Sequence, residues 1–437
     1  MPEPNEPNST SFSQDRTPQI PSAKFFYGWW IVLAGTAIFI VSNGIGFYGH
    51  GVFLDPLRSA HGWSKGSISL AVTLYFFTAG VLGIVVGRQI DRFGPRPMLV
   101  IGATVAGFGF ALLSRVQDLW QLYLVYFLMA VGWSASSMMP VNTAITNWFI
   151  RRRGLAMSLT MTGLSLGGII MVPLATYLTA RWGLTVALAI LGAMLWLGIT
   201  PLALFVIKHH PADIGQFPDG QPPSEANARA LKNPIDYASQ MKTWTRVQAL
   251  RTTAFWAIVV AFLLAMTGQV AYLVHQMSFL SQTLGSAGAA SAVSLTAAAS
   301  IIGRLSLGAF IDRYDKRYVT MCLLFIQGLT LLALAISNHV LVLYLGTFAF
   351  GLTMGCILMM QSLIMGECFG MVSFATVAGT AGLFISCGAA LGPTIAGFIF
   401  DVTQSYGSAF TIFAAASLMS ALAVFFAKPP KQNHSAA

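Results

Sequence analysis

Hydrophobic runs of about twenty residues, the length that crosses a ~30 Å hydrocarbon layer at ~1.5 Å per residue, recur about twelve times along this chain of 437 residues. They read near 27–50, 68–87, 97–114, 119–146, 154–179, 184–207, 254–281, 289–311, 318–337, 340–366, 372–400 and 407–427. Only 9% of residues are charged and 56% are hydrophobic, whereas a soluble domain carries roughly 25% charge. A soluble globule is therefore excluded, and the expected fold is all-α and polytopic, with twelve transmembrane helices in two six-helix bundles.

The formal net charge of +10 is not a nucleic-acid footprint, because its placement is topological. Nineteen of the 24 Lys and Arg residues fall in the tails and alternate loops of one side, including Arg88, Arg92, Arg96, the triplet Arg151 to Arg153, Arg313, Lys316 and Arg317. Only Arg58, Lys65, Arg115 and Arg181 fall on the other side. This positive-inside asymmetry assigns both termini to the cytoplasm of a protein of the cell's inner, or plasma, membrane. The lipid bilayer is then its permanent partner, and a monomer is expected.

Residues 1–24 are polar and lack a charged-then-apolar leader pattern, so they read as a cytoplasmic tail from which nothing is removed. The polar stretch 208–252 reads as a cytoplasmic linker, with a short surface helix expected near 232–242. It divides a bundle over 25–207 from a second over 253–427, and 428–437 forms a second tail. The four cysteines, Cys322, Cys356, Cys368 and Cys387, show no metal spacing and read as free thiols; no metal and no cofactor is implied.

An internal repeat accompanies the division. Gly87, Asp91 and Arg92, with Arg96 close behind, follow the second span, and Gly308, Asp312 and Arg313 follow the eighth at an offset of 221 residues. Glycine lets backbones approach, the carboxylate bonds a helix N-terminus, and the guanidinium groups bond carboxylates or helix C-termini across a closed inner gate. Weaker echoes pair Phe47 and His50 with Tyr272 and His275, and Gly163 and Pro173 with Gly382 and Pro393. Inverted or parallel repeats of this kind place a binding site between the halves near the bilayer midplane.

Arg304 is the one cation that a span places within the bilayer. Such a group costs ~2.5–3.5 kcal/mol on insertion scales, so it faces either an ion-pair partner or a water-filled cavity on a substrate path. Its candidate partners are Asp312 and Glu367. If neither holds it, the guanidinium fork suits a carboxylate, with two charge-assisted hydrogen bonds. On the seventh span Gln269, Tyr272, His275 and Gln276 stand at helical spacing and read as a polar stripe lining the cavity, with His275 a ligand or a titrating group. Asn43, Phe47 and His50 share a face of the first span, where His50, near the outer end, is either solvated or functional. Trp133, Asn142 and Gln361 line the cavity or pack helices, while Trp29 and Trp30 read as interface anchors.

The repeated Gly-x-x-x-Asp-Arg loop resembles that of the major facilitator superfamily. Tyr27-Gly28-Trp29-Trp30 and Trp148-Phe149-Ile150-Arg151-Arg152-Arg153-Gly154-Leu155-Ala156 are similar to patterns of its branch of monocarboxylate transporters and oxalate/formate exchangers. The resemblance covers Tyr27 to Ala427 and implies a secondary transporter of a small monocarboxylate, with Arg304 where the branch holds its substrate-carboxylate arginine. Two positions depart from it. Ser300 stands where animal carriers have an Asp used in proton coupling, and no Lys or Arg occurs between Cys368 and Ala427, which disfavours a dianion site.

The sequence thus points to a lactate- or pyruvate-like cargo moved by alternating access, coupled to a proton or exchanged for a counter-anion. Export of larger amphipathic or drug-like anions is the alternative within the class, and a transporter-like sensor the alternative outside it. No Gly-x-x-x-x-Gly-Lys-Ser/Thr run is present, and no intramembrane cluster of acids and histidines suggests an enzyme.

Overall fold

The computed structural model describes residues 26–149, 152–220, 246–369 and 374–429; the expected helix near 232–242 lies outside them. The described chain is built from helices. The first span consists of α1 (Gly28–Gly46) and α2 (Gly49–His61), broken at Phe47 and Tyr48, and it runs on well past residue 50, where the hydropathy pattern had ended it. The reason is that α2 is buried along one side: Phe53, Leu54 and Leu57 are at most 1% exposed, so Asp55 and Arg58 ride on a packed helix rather than on a loop.

Then come α3 (Lys65–Phe93), α4 (Pro95–Leu113), and a span made of α5 (Leu119–Ser136) and α6 (Met138–Trp148) with a break at Ser137. Helix α7 (Arg153–Pro201) and helix α9 (Thr253–Phe310) follow on either side of the short α8 (Arg246–Leu250). The chain closes with α10 (Lys316–Ile336), α11 (Val340–Phe369), α12 (Phe374–Thr403) and α13 (Gly407–Phe425).

Among the described residues ten stretches are long and apolar enough to cross a membrane, and two of these, of 52 and 56 residues, are each about twice the length a bilayer needs. Each folds back at a glycine with positive φ, Gly183 at 77° and Gly285 at 70°. Residues with a Cβ rarely adopt that conformation, so a single glycine does the work of a loop. The crossings among the described residues therefore number twelve. The connections expected near 180–183 and 282–288 shrink to these single hinges.

In the first half α1 packs on α7, α4 on α5 and α7, and α3 on α5; in the second α9 packs on α11, α12 and α13, and α10 on α11 and α13. Close approach substitutes for the hydrophobic force that lipid removes. A Cβ added to Gly167 would stand 2.7 Å from the Gly44 amide nitrogen, and one added to Gly102 would stand 2.7 Å from the Gly132 carbonyl. Large apolar side chains face outward instead, among them Phe205, Leu197 and Leu422.

The halves meet through α3 with α12, α7 with α9, and α2 with α9. These contacts run from one face into the middle of the bilayer. On the face away from the chain ends Asp401 accepts from the Lys65 and Gly66 amides at 3.0 and 2.7 Å; deeper in, Thr73 bonds Ala390 O and Thr394 Oγ1, and Ser165 bonds Ser300 at 2.8 Å, about 22 Å from the Gly285 hinge by helix rise. Along the same side of α12, Ser386 still approaches Gly80, but Gly382 and Gly379 have no heavy atom within 4 Å of a Cβ position. The halves touch at the far face and part toward the face that bears both chain ends.

Candidate functional site

Arg304 follows Ser300 by one helical turn, about 6 Å by helix rise, and so lies on the terminal side of the last contact between the halves, at the closed end of the cleft. It is half-buried. Its Nε donates to Gly355 O at 3.5 Å, at the limit of a hydrogen bond, because α11 lies close behind α9: a Cβ on Gly351 would stand 2.9 Å from Thr296 Cα, and one on Gly355 2.9 Å from Ser300 Cα.

The titratable groups that act on Arg304 electrostatically are Tyr48 and Cys356, neither of them a carboxylate. Glu367, one of the two expected partners, instead pairs with Lys316 at 3.4 Å. The side chain of the other, Asp312, lies outside the described residues. Among the described side chains no acid holds the guanidinium. Tyr48 comes from the opposite half, is 4% exposed, and its hydroxyl has no hydrogen-bond partner. A cation from one half and an unsatisfied phenol from the other thus share one site. The sequence reading missed Tyr48; the break it occupies between α1 and α2 was the available signal.

The polar stripe on α9 divides. Tyr272 bonds Thr347 at 3.2 Å and packs on Phe350, and Gln276 bonds Thr296 at 2.6 Å, so both turn into their own half. The Oε1 atoms of Gln269 and Gln276 are buried without partners. His275 turns the other way, to Ser69 of α3, the Pro393 carbonyl and Tyr406.

In the first half the Asn43 amide donates to Phe39 O at 3.4 Å, and Asn142 has a buried, unpaired Oδ1. Gln361 is half-buried further along α11. His50 is not solvated: it is 2% exposed, with its ring centroid 4.5 Å from that of Tyr75, and α2 carries the span beyond it. Phe47 stacks edge-on to Phe76, and Trp133 lies 5.5 Å from Tyr75.

Among the described side chains of the repeated loops Arg92, Arg96 and Arg313 are exposed, a Cβ added to Gly87 would meet Met139, and one added to Gly308 would meet nothing within 4 Å; the side chains of Asp91 and Asp312 are not among those described. Lys65 is a correction to the surface placement of the outer cations. Its side chain is 3% exposed and pairs with Asp55 at 3.1 Å.

The two aromatic patterns, far apart in sequence, meet at the terminal face. Tyr27 and Trp148 ring centroids are 5.4 Å apart, Trp29 packs on Phe149, and Trp30 is 50% exposed. Tyr27 Oη and Trp148 Nε1 donate to the carbonyls of Val206 and Lys208, which tie down the segment leaving the first half. Burial and the adjacent His210 lower the proton affinity of His209, whose imidazole covers Gly94.

The sequence profile of the Major Facilitator Superfamily matches residues 36–305 and again 276–437. The chain is 25% identical to monocarboxylate transporter 13 of Rattus norvegicus over 92% of its own length and 89% of that protein's. It is also 25% identical to an agnestins efflux protein of Paecilomyces divaricatus, over 90% and 86%. Three further curated relatives are matched over 39%, 42% and 61% of their own length. In fold it is similar to a bacterial homologue of the human lysosomal transporter Spinster in an inward-facing, unoccupied conformation, with a TM-score of 0.66, 15% identity, and 93% and 95% coverage.

Proposed function

Because this chain belongs to the Major Facilitator Superfamily, we propose that it is a secondary transporter of a small organic monocarboxylate, anchored by Arg304 and moved by alternating access. The observation that carries this reading is a half-buried guanidinium at the closed end of an interdomain cleft, without an acid among the described side chains and within electrostatic reach of Tyr48, whose buried hydroxyl has no partner. A carboxylate there takes charge-assisted bonds from Arg304 and a hydrogen bond from Tyr48, and so ties one half to the other. One bound anion completes both halves of the site.

With the termini cytoplasmic, the cleft opens inward. Alternation then requires the loops around Arg92 and Arg313 to engage as the far-face contacts part. The matched rat monocarboxylate transporter supports the cargo class. Export of a larger amphipathic anion is the second reading, favoured by the fungal efflux relative, and predicts broad rather than narrow competition by carboxylates. Uptake of labelled lactate into proteoliposomes under an imposed pH gradient, set beside counterflow against preloaded lactate, tests the proposal. Activity in either mode that disappears in Arg304→Ala supports it. Lactate movement that survives this substitution contradicts it.

A further inference from the structure

The far face is closed by a titratable cluster that lies apart from the Arg304 site. His275 sits at its centre, wholly buried. Nε2 lies 2.9 Å from the Pro393 carbonyl, which only accepts, so this nitrogen carries the ring proton, and Ser69 Oγ sits at 3.1 Å beside it. Nδ1 is then an acceptor, and Tyr406 Oη donates to it at 3.0 Å.

The same phenol oxygen receives a hydrogen bond from Lys65 Nζ at 3.0 Å, and Lys65 continues to Asp55 and Ser278, whose hydroxyl donates to Asp55 at 2.9 Å. Asp401 caps the first turn of α3 from the other half, and Arg58 lies over Phe400. Lys65, Asp55 and Asp401 are the charged groups that act on His275, and Arg58 acts on Lys65. Residues of α2 and α3 are thereby joined to residues of α9, α12 and the turn before α13. Around the neutral ring the Tyr406 O–H serves Nδ1, and the same phenol has Ser278 Oγ as its other acceptor within reach.

We propose that His275 and its partners Tyr406 and Lys65 form a proton-binding site that controls opening of the far face. A proton taken from that solution binds the Nδ1 lone pair, and no other covalent bond changes. Tyr406 must then turn its O–H from Nδ1 toward Ser278 Oγ, 3.1 Å away, and a second cation stands one hydroxyl from Lys65. The closed packing accommodates this poorly, while separation of the halves lets water solvate both cations. Acidification therefore opens the far face. The purpose of that opening, admission or release of an anion, rests on the transporter reading; the switch itself does not.

The test uses the full chain with Cys322 and Cys387, the exposed native thiols, changed to Ser, and spin labels on Ala60→Cys of α2 and Gln282→Cys of α9, both exposed on the far face. Electron–electron distance measurements in nanodiscs, without any carboxylate, are made from pH 8 to pH 5. A short-distance population at pH 8 should give way to a longer one, the ratio changing by up to about tenfold per pH unit for one linked proton. His275→Gln, whose amide still donates to Pro393 O, should stay closed throughout. Should that variant fail to fold, Tyr406→Phe keeps the packing and should displace the midpoint.

No pH response in the parent protein, an unchanged response in His275→Gln or an unmoved midpoint in Tyr406→Phe overturns the proposal. So does a response lost only in Asp55→Asn. Arg304→Ala should retain the full response, so loss of carboxylate binding and loss of the pH switch are read separately.

Discussion

Gly397 on α12 lies against α3 of the other half on the far face, and its replacement by alanine separates conformational from folding energetics. A Cβ there would lie 2.8 Å from Ser69 Oγ, 2.9 Å from Gly66 Cα and 2.9 Å from Lys65 O. Two of those three contacts are backbone atoms, so α3 and α12 must move apart by roughly half an ångström or more to restore ordinary van der Waals distances. Overpacking of this kind costs about 1–3 kcal/mol. The cost falls only on the far-face-closed arrangement, because the two helices part in the other. The closed-to-open ratio should drop about 5- to 150-fold.

Gly382 on the same side of the same helix is the control, since nothing lies within 4 Å of its Cβ position. Both substitutions gain the same ~1 kcal/mol of helix propensity. The assay is the far-face label distance at fixed pH, with thermal unfolding in parallel. Gly397→Ala should lengthen the distance while Gly382→Ala leaves it alone. If Gly397→Ala lowers thermal stability and leaves the distance unchanged, the far-face contact is ordinary packing and the two-state account fails.

Tyr48→Phe removes a buried hydroxyl that has no partner, so thermal stability should hold or rise slightly, while lactate affinity falls about tenfold or more for the loss of a hydrogen bond to a charged group. A large stability loss measured by thermal unfolding would show that the hydroxyl is already satisfied. Tyr27→Phe and Trp148→Phe each delete a bond to the segment 206–208 and should each destabilise by about 1 kcal/mol in chemical unfolding, without altering lactate affinity. His209 has its proton affinity lowered in the folded protein, so the unfolded chain binds the proton at higher pH and stability is lost as pH falls through that unfolded value. Thermal midpoints of His209→Gln should accordingly decline less than those of the parent between pH 7.5 and 5.5.

The twelve crossings were legible because a bilayer demands a run of apolar residues whose length no soluble element needs. Their ends were less so. Hydropathy marks where polar residues accumulate, and Gly183 and Gly285 turn the chain within apolar sequence, so the helices run to the hinge itself. Lys65 looks like a loop charge because the groups that cover it, Tyr406 and Asp401, are more than 300 residues away.

Arg304 stood out because its cost is local and unmistakable. The stripe around it did not resolve in the same way. Spacing puts Tyr272, His275 and Gln276 near one face of a helix, but a face 100° wide meets several neighbours, and only packing decides that His275 looks toward α3 while the others look toward Thr347 and Thr296.

Thermal unfolding of the purified protein with lactate, pyruvate and a panel of other small carboxylates, repeated for Arg304→Lys and Arg304→Ala, tests the anion anchor most directly, since a ligand that binds only the folded state raises its apparent stability. At a ligand concentration of about 100 times Kd the stabilisation is ~2.7 kcal/mol. The parent protein should be stabilised by at least one monocarboxylate, Arg304→Lys more weakly because an ammonium lacks the planar fork, and Arg304→Ala not at all. Equal stabilisation of Arg304→Ala and the parent by the same carboxylate would contradict the assignment.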